Sequence, residues 1–94
     1  MGVTARASRL SLGEGSTPLV PARRLSEELG VELQLKCDGL NPTGSFKDRG
    51  AAVALSRARE LGVTEIAAPS SGNAAAAVVA YGAALGMSVH AFVL

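Results

Sequence analysis

Residues 64–94 read as strand, loop, helix and strand, and that order leaves a chain few ways to fold. Thr64-Glu65-Ile66-Ala67-Ala68 is a short strand stopped by Pro69, and Ser70-Ser71-Gly72-Asn73 is the loop that follows. Ala74 to Leu85 is an almost wholly apolar helix closed by Gly86, and Ser88 to Leu94 is a second strand. Two strands joined by a helical crossover make the βαβ unit of a parallel sheet. A helix that is apolar all round needs cover on both of its sides. Open parallel sheets collect ligands at the carboxyl ends of their strands, where helix N-termini offer free N–H groups. Ser70 to Asn73 occupies that place.

Upstream, Asn41-Pro42-Thr43-Gly44-Ser45-Phe46-Lys47-Asp48-Arg49-Gly50 joins a strand to a helix. The alternating run Val31 to Cys37 reads as the strand, and Phe46 to Leu61 as the helix, with Gly62 as its left-handed end. Asn-Pro and Thr-Gly are turn chemistry. Ser45 and Asp48 have the spacing of a capping box, which puts Lys47 at the second helical position. There the positive end of the helix dipole disfavours an ammonium, and a neutral amine is what a Schiff-base lysine needs. Phe46, Gly50, Val53, Ala54 and Leu61 fall largely on one side of this helix. Gly50 inside it is unfavourable by about 1 kcal/mol relative to Ala, which requires close approach of either a ligand or a packed helix.

The first 11 residues show no sustained periodicity and are expected to be a mobile or loosely attached lead-in. Leu12-Gly13-Glu14-Gly15-Ser16-Thr17-Pro18-Leu19-Val20 is a tight turn entering a short extended piece. Gly13-x-Gly15 lacks the third glycine of a dinucleotide fingerprint, and Lys47 does not follow Gly44 as a P-loop would need. Pro21 to Leu29 reads as a short helix ended by Gly30, with Leu25 and Leu29 as its apolar edge and Arg23, Arg24, Glu27 and Glu28 as a solvated face. With 48% hydrophobic but 3% aromatic residues, packing falls to Ala, Val and Leu, which suits close helix-on-sheet layers. A net charge of +1 gives no reason to expect nucleic acid or an anionic membrane as partner. Lone Cys37 and the lack of a signal-like or spanning apolar run lead to the expectation of a cytoplasmic protein. Cys37 and the single histidine, His90, are both expected to be packing residues.

The segment Asn41 to Gly50 resembles the cofactor-lysine motif of the threonine synthase family, within the tryptophan-synthase-β-like, fold-type-II pyridoxal-phosphate enzymes. The Gly-Glu-Gly-x-Thr-Pro-Leu segment and Ser70-Ser71-Gly72-Asn73 resemble two further landmarks of the same group, the second of them 26 positions after Lys47. The resemblance implies an α/β fold with an open parallel sheet in three layers, and pyridoxal 5'-phosphate as cofactor. It implies Lys47 as the Schiff-base and catalytic residue and Asn73 as a contact to the cofactor ring, with Phe46 packed against that ring. Ser70, Ser71 and Gly72 become the cradle of the substrate carboxylate. Ala74 departs from the Thr or Ser that often follows the Asn, which weakens the choice of substrate more than that of cofactor.

The reaction implied is conversion of O-phosphohomoserine and water to threonine and phosphate, by an enzyme whose assembly could be a homodimer. A serine or threonine dehydratase of the same fold is the nearest alternative, against which Asp48 and Asn41-Pro42 argue. A noncatalytic binding protein keeping the motifs is another. The family is several times longer, with its phosphate cup and pyridine-nitrogen partner downstream. The chain is therefore expected to be an N-terminal portion, with 12–45 wrapping toward a missing large domain and 46–94 opening the small α/β domain. Alone, these residues are expected to be inactive.

Overall fold

The computed structural model describes residues 9–93. Two pieces of sheet carry it. The first is an antiparallel hairpin of β1 (Leu19–Pro21) and β2 (Gln34–Lys36), with α1 (Arg23–Leu29) between the two strands. The second is the parallel pair β3 (Glu65–Pro69) and β4 (Ser88–Phe92), joined through α3 (Asn73–Ala84). Between the two pieces lie a 3-10 turn at Asp38–Leu40 and helix α2 (Lys47–Glu60).

The parallel unit is as expected, with Glu65 opposite Ser88 and Pro69 opposite Phe92. Helix α3 packs on both of its strands, and α2 packs on α3. Ala51, Ala52 and Leu55 of α2 meet Ala77 and Tyr81 of α3 to form the core, with Leu10, Ile66, Val78, Ala80 and Leu85 against it. Small side chains let the helices approach closely, so that one phenol ring fills the centre. At Gly82 an added Cβ would land on the Val89 side chain, so α3 reaches β4 only because that position is bare.

Several expectations shift. Pro21 belongs to β1 rather than α1: it pairs with Gln34, and a fixed φ suits an edge strand as well as a helix start. The expected strand over 31–37 shrinks to Gln34–Lys36 because Leu33 is held by α1, its N–H donating to Ser26 Oγ and its carbonyl accepting from Ala22 N–H. Leu25 and Leu29, the expected apolar edge of α1, are exposed. The buried face of α2 is Asp48, Ala51, Ala52, Leu55 and Ser56, whereas Phe46, Gly50, Val53, Ala54 and Leu61 are exposed. Small residues at i, i+3, i+4, i+7 and i+8 won over larger ones because α3 lies so close.

His90 is not a packing residue. Its side chain is exposed, with Nε2 2.6 Å from Glu65 Oε1 on the neighbouring strand. Cys37 is half-buried. Of the expected lead-in, residues 1–8 lie outside the described residues, but Leu10 is docked, its N–H donating to Ser56 Oγ at 2.9 Å. Leu94, the expected end of β4, is likewise outside them.

The close approach at Gly82 makes a direct prediction. Gly82→Ala should destabilise the intact protein by about 1–3 kcal/mol, measured as a lowered urea midpoint with an unchanged slope.

Candidate functional site

Lys47 owes its place to the loop before it. Gly44 N–H donates to Asn41 C=O at 2.8 Å, with Gly44 in the left-handed region at φ 87°, and this folds Thr43 back over the first turn of α2. Asp48 is fully buried there, its carboxylate accepting the Thr43 N–H at 2.7 Å and also the Thr43 hydroxyl. The expected capping box is therefore not formed. Phe46 holds the cap position with helical dihedrals and no side-chain cap bond, and Ser45 Oγ accepts weakly from Lys47 N–H at 3.3 Å. Asp48 reaches Thr43 rather than Ser45 because the turn delivers two Thr43 donors to it. Lys47 becomes the first residue of α2 instead of the second.

The Lys47 ammonium lies 4.7 Å from the centre of the Phe46 ring, a cation–π contact. Among the described residues no carboxylate lies within ion-pairing distance of it. Beside it runs a cleft of about 240 Å³ between the two helices, lined by Lys47, Gly50, Ala51 and Ala54 of α2 and by Ala74 and Val78 of α3. Among the described residues Lys47 is its one polar wall. Asn73, directly before Ala74, is exposed at the first position of α3. In the loop ahead of it, Ser70 Oγ accepts the Gly72 N–H at 3.2 Å, while Ser71 and Gly72 are exposed. Among the described residues no side chain caps α3, whose first turn follows the carboxyl end of β3. Lys47 thus stands on one wall of the cleft, and Ala74, the residue that follows the Ser70–Asn73 loop, stands on the other. Phe46 lies beside the lysine and is itself exposed.

A polar network that sequence reasoning missed fastens the early glycine-rich segment to the lysine loop. Thr17 Oγ1 donates to Asp38 Oδ1 at 2.7 Å, and Arg49 Nη2 donates to both, at 3.1 and 2.9 Å. Hydrogen bonds from Arg49 and Thr17 hold the Asp38 carboxyl below its usual range, and Asp38 in turn raises the Arg49 guanidinium. Asn41 Oδ1 accepts the Gly15 N–H at 2.9 Å, and Asn41 Nδ2 donates to Asp38 C=O at 2.9 Å. Lys36 Nζ donates to Thr17 C=O at 2.6 Å. A Cβ at Gly15 would come within 3.2 Å of Arg49 Nη1, and its φ of 83° is left-handed as well. Apart from Asn41 and Asp38, three positions apart, the partners lie 11 to 32 positions apart, so no local spacing signals them.

The same segment reaches α3. Tyr81, fully buried, donates its hydroxyl to Glu14 Oε2 at 2.7 Å. Burial pushes the Glu14 carboxyl up, but hydrogen bonds from Tyr81 and from the backbone outweigh it and hold the group below its ordinary 4.5. Burial, then the Glu14 hydrogen bond, push the Tyr81 phenol well above its ordinary value. A lowered carboxyl stabilises the fold above its ordinary pKa and loses that contribution as pH falls through the lowered value. Tyr81→Phe should therefore cost about 1 kcal/mol at neutral pH. In urea unfolding of the intact protein, the gap to wild type should shrink as pH falls below 4.5.

A model of the pyridoxal-phosphate dependent enzymes matches residues 10–94. The threonine synthase of Halalkalibacterium halodurans is 51% identical over 85 residues, 90% of this chain and 24% of that protein. The threonine synthase of Methanocaldococcus jannaschii is 51% identical over 78 residues, 82% of this chain and 19% of its own length. That of Mycobacterium tuberculosis is 44% identical over 79 residues, 84% of this chain and 22% of its own. The chain spans a quarter or less of the length of these relatives. A match of that extent shows that the chain belongs to the pyridoxal-phosphate dependent enzyme family.

Proposed function

We propose that these residues supply the lysine wall and the substrate-facing loop of a threonine synthase, which converts O-phosphohomoserine and water to threonine and phosphate. The observation that carries this reading is the position of Lys47 at the start of α2. It borders an apolar cleft whose far wall begins directly behind Ser70–Asn73. Similarity to proteins named threonine synthase supports the choice of reaction. Residues 46–94 would open the smaller α/β domain of that enzyme, and residues 12–45 would run toward the larger one.

The residues present suit pyridoxal 5'-phosphate. A small-residue cleft admits a flat ring, an amine without a carboxylate partner among the described residues borders it, and Asn73 stands exposed at the head of α3. At about 240 Å³ the cleft falls short of the roughly 300–1,000 Å³ of an enclosing ligand pocket, so it is one side of a site. When bound, the cofactor supplies an electron sink for carbanions beside the substrate nitrogen.

The chain's own residues do the rest. Lys47 Nζ anchors the cofactor and afterwards carries a proton between substrate carbons. Phe46 shields one side of that amine from water. Asn73 orients the ring through its side-chain amide. Ser71, Gly72 and the open first turn of α3, with Ser70 holding the loop in shape, receive the substrate carboxylate at the positive end of the helix dipole.

The intact protein should release inorganic phosphate and threonine from O-phosphohomoserine, and little ammonia from serine or threonine. Ammonia release from threonine without phosphate release from O-phosphohomoserine would replace this reading with a dehydratase. Lys47→Ala should abolish both turnover and the visible absorbance of protein-bound cofactor; persistence of that absorbance would remove Lys47 from its role. Asn73→Ala should leave the cofactor attached through Lys47 but weaken its retention. A lost hydrogen bond to a charged group is worth about 1.5–3 kcal/mol, or about 10- to 150-fold in a cofactor titration.

A further inference from the structure

Gly50 stands one turn after Lys47 and lines the same cleft. Within a helix interior glycine is the least favourable residue after proline, so its presence there needs a reason. Three physical reasons are common: a left-handed dihedral, close approach of another part of the chain, or close approach of a ligand. The first does not apply, because Gly50 lies inside α2 and is not among the residues with positive φ. The second fails among the described residues, since a Cβ built at Gly50 meets nothing within 4 Å. Gly82 shows the opposite case, a helical glycine whose Cβ would strike Val89.

What remains is the cleft. Its other α2 walls are Ala51 and Ala54, and Ala74 and Val78 face them from α3. Gly50 is the barest point of that wall and the one nearest in sequence to the Lys47 amine. We infer that Gly50 is a clearance residue, bare so that the group held at Lys47 can lie against the backbone of α2. This rests on the proposed role of Lys47 and adds to it a second residue that sets how large a bound group the cleft accepts. A methyl at position 50 would occupy space that the structure leaves open, and it would meet the bound group rather than the protein.

Gly50→Ala separates this from a packing role, because the two predict opposite signs. In the intact protein freed of cofactor, the alanine should leave thermal stability unchanged or raise the unfolding midpoint by about 2 °C, as a better helix former. Titrated with pyridoxal 5'-phosphate and followed by absorbance, the same variant should bind about 10- to 200-fold more weakly, the usual effect of one methylene on a fitted site. A lowered midpoint, or failure to fold, would mean that another segment packs on Gly50 and would overturn the inference whatever the affinity. Unchanged affinity would overturn it equally. The arms also tell the two readings apart. Wild-type binding that survives Lys47→Ala sinks the role of Lys47, whereas binding lost in Lys47→Ala but kept in Gly50→Ala sinks the role of Gly50 alone.

Discussion

The buried carboxylate of Asp48 is the constraint on which the site depends. A charge removed from water is tolerated only when hydrogen bonds replace its hydration, and here one residue, Thr43, provides both an N–H and a hydroxyl. That pairing closes the Asn41–Ser45 loop onto the first turn of α2. Lys47, directly before it in the chain, consequently has its backbone fixed by its neighbour while its side chain lies over the Phe46 ring. A negative charge in the first turn also complements the helix dipole, so the same group favours the helix it helps to begin.

From that point, two fastenings run outward. Arg49, two residues beyond Lys47, binds Asp38 and Thr17, and Asn41 binds Gly15, so the glycine-rich segment cannot shift without disturbing the lysine loop. Glu14 in the same segment takes the Tyr81 hydroxyl from the centre of α3. One short stretch of irregular chain thereby touches both helices whose facing walls make the cleft. The packing of α2 on α3 is made largely by small residues and is cross-braced by this segment.

Much of the surface is apolar. Leu19, Val20, Leu29, Leu35, Leu40 and Phe92 are all exposed. The radius of gyration, 16.4 Å, exceeds the roughly 12 Å of a compact chain of this length. The hairpin with α1 stands away from the helical core, and none of these elements packs on α2 or α3. The relatives are four to five times as long as the part this chain matches.

The sequence by itself determined the parallel βαβ unit, the glycine-ended helices and the places of the two motifs at the heads of α2 and α3. Each is written in local periodicity, turn chemistry or a contiguous residue string, which neighbours in the chain specify without help. It did not determine which side of α2 faces inward. Hydropathy favours Phe46, Val53 and Leu61, but the close approach of α3 selects Ala51, Ala52, Leu55 and the buried Asp48. Nor could spacing show that Asp48 would turn to Thr43 rather than Ser45, or that Tyr81 would find Glu14 across 67 positions. His90 looked like a core residue until the strand pairing set it near Glu65 on an open face. Those outcomes belong to tertiary structure because a buried polar group takes whichever donor or acceptor the fold brings within about 3 Å, and that distance is not a property of the chain order.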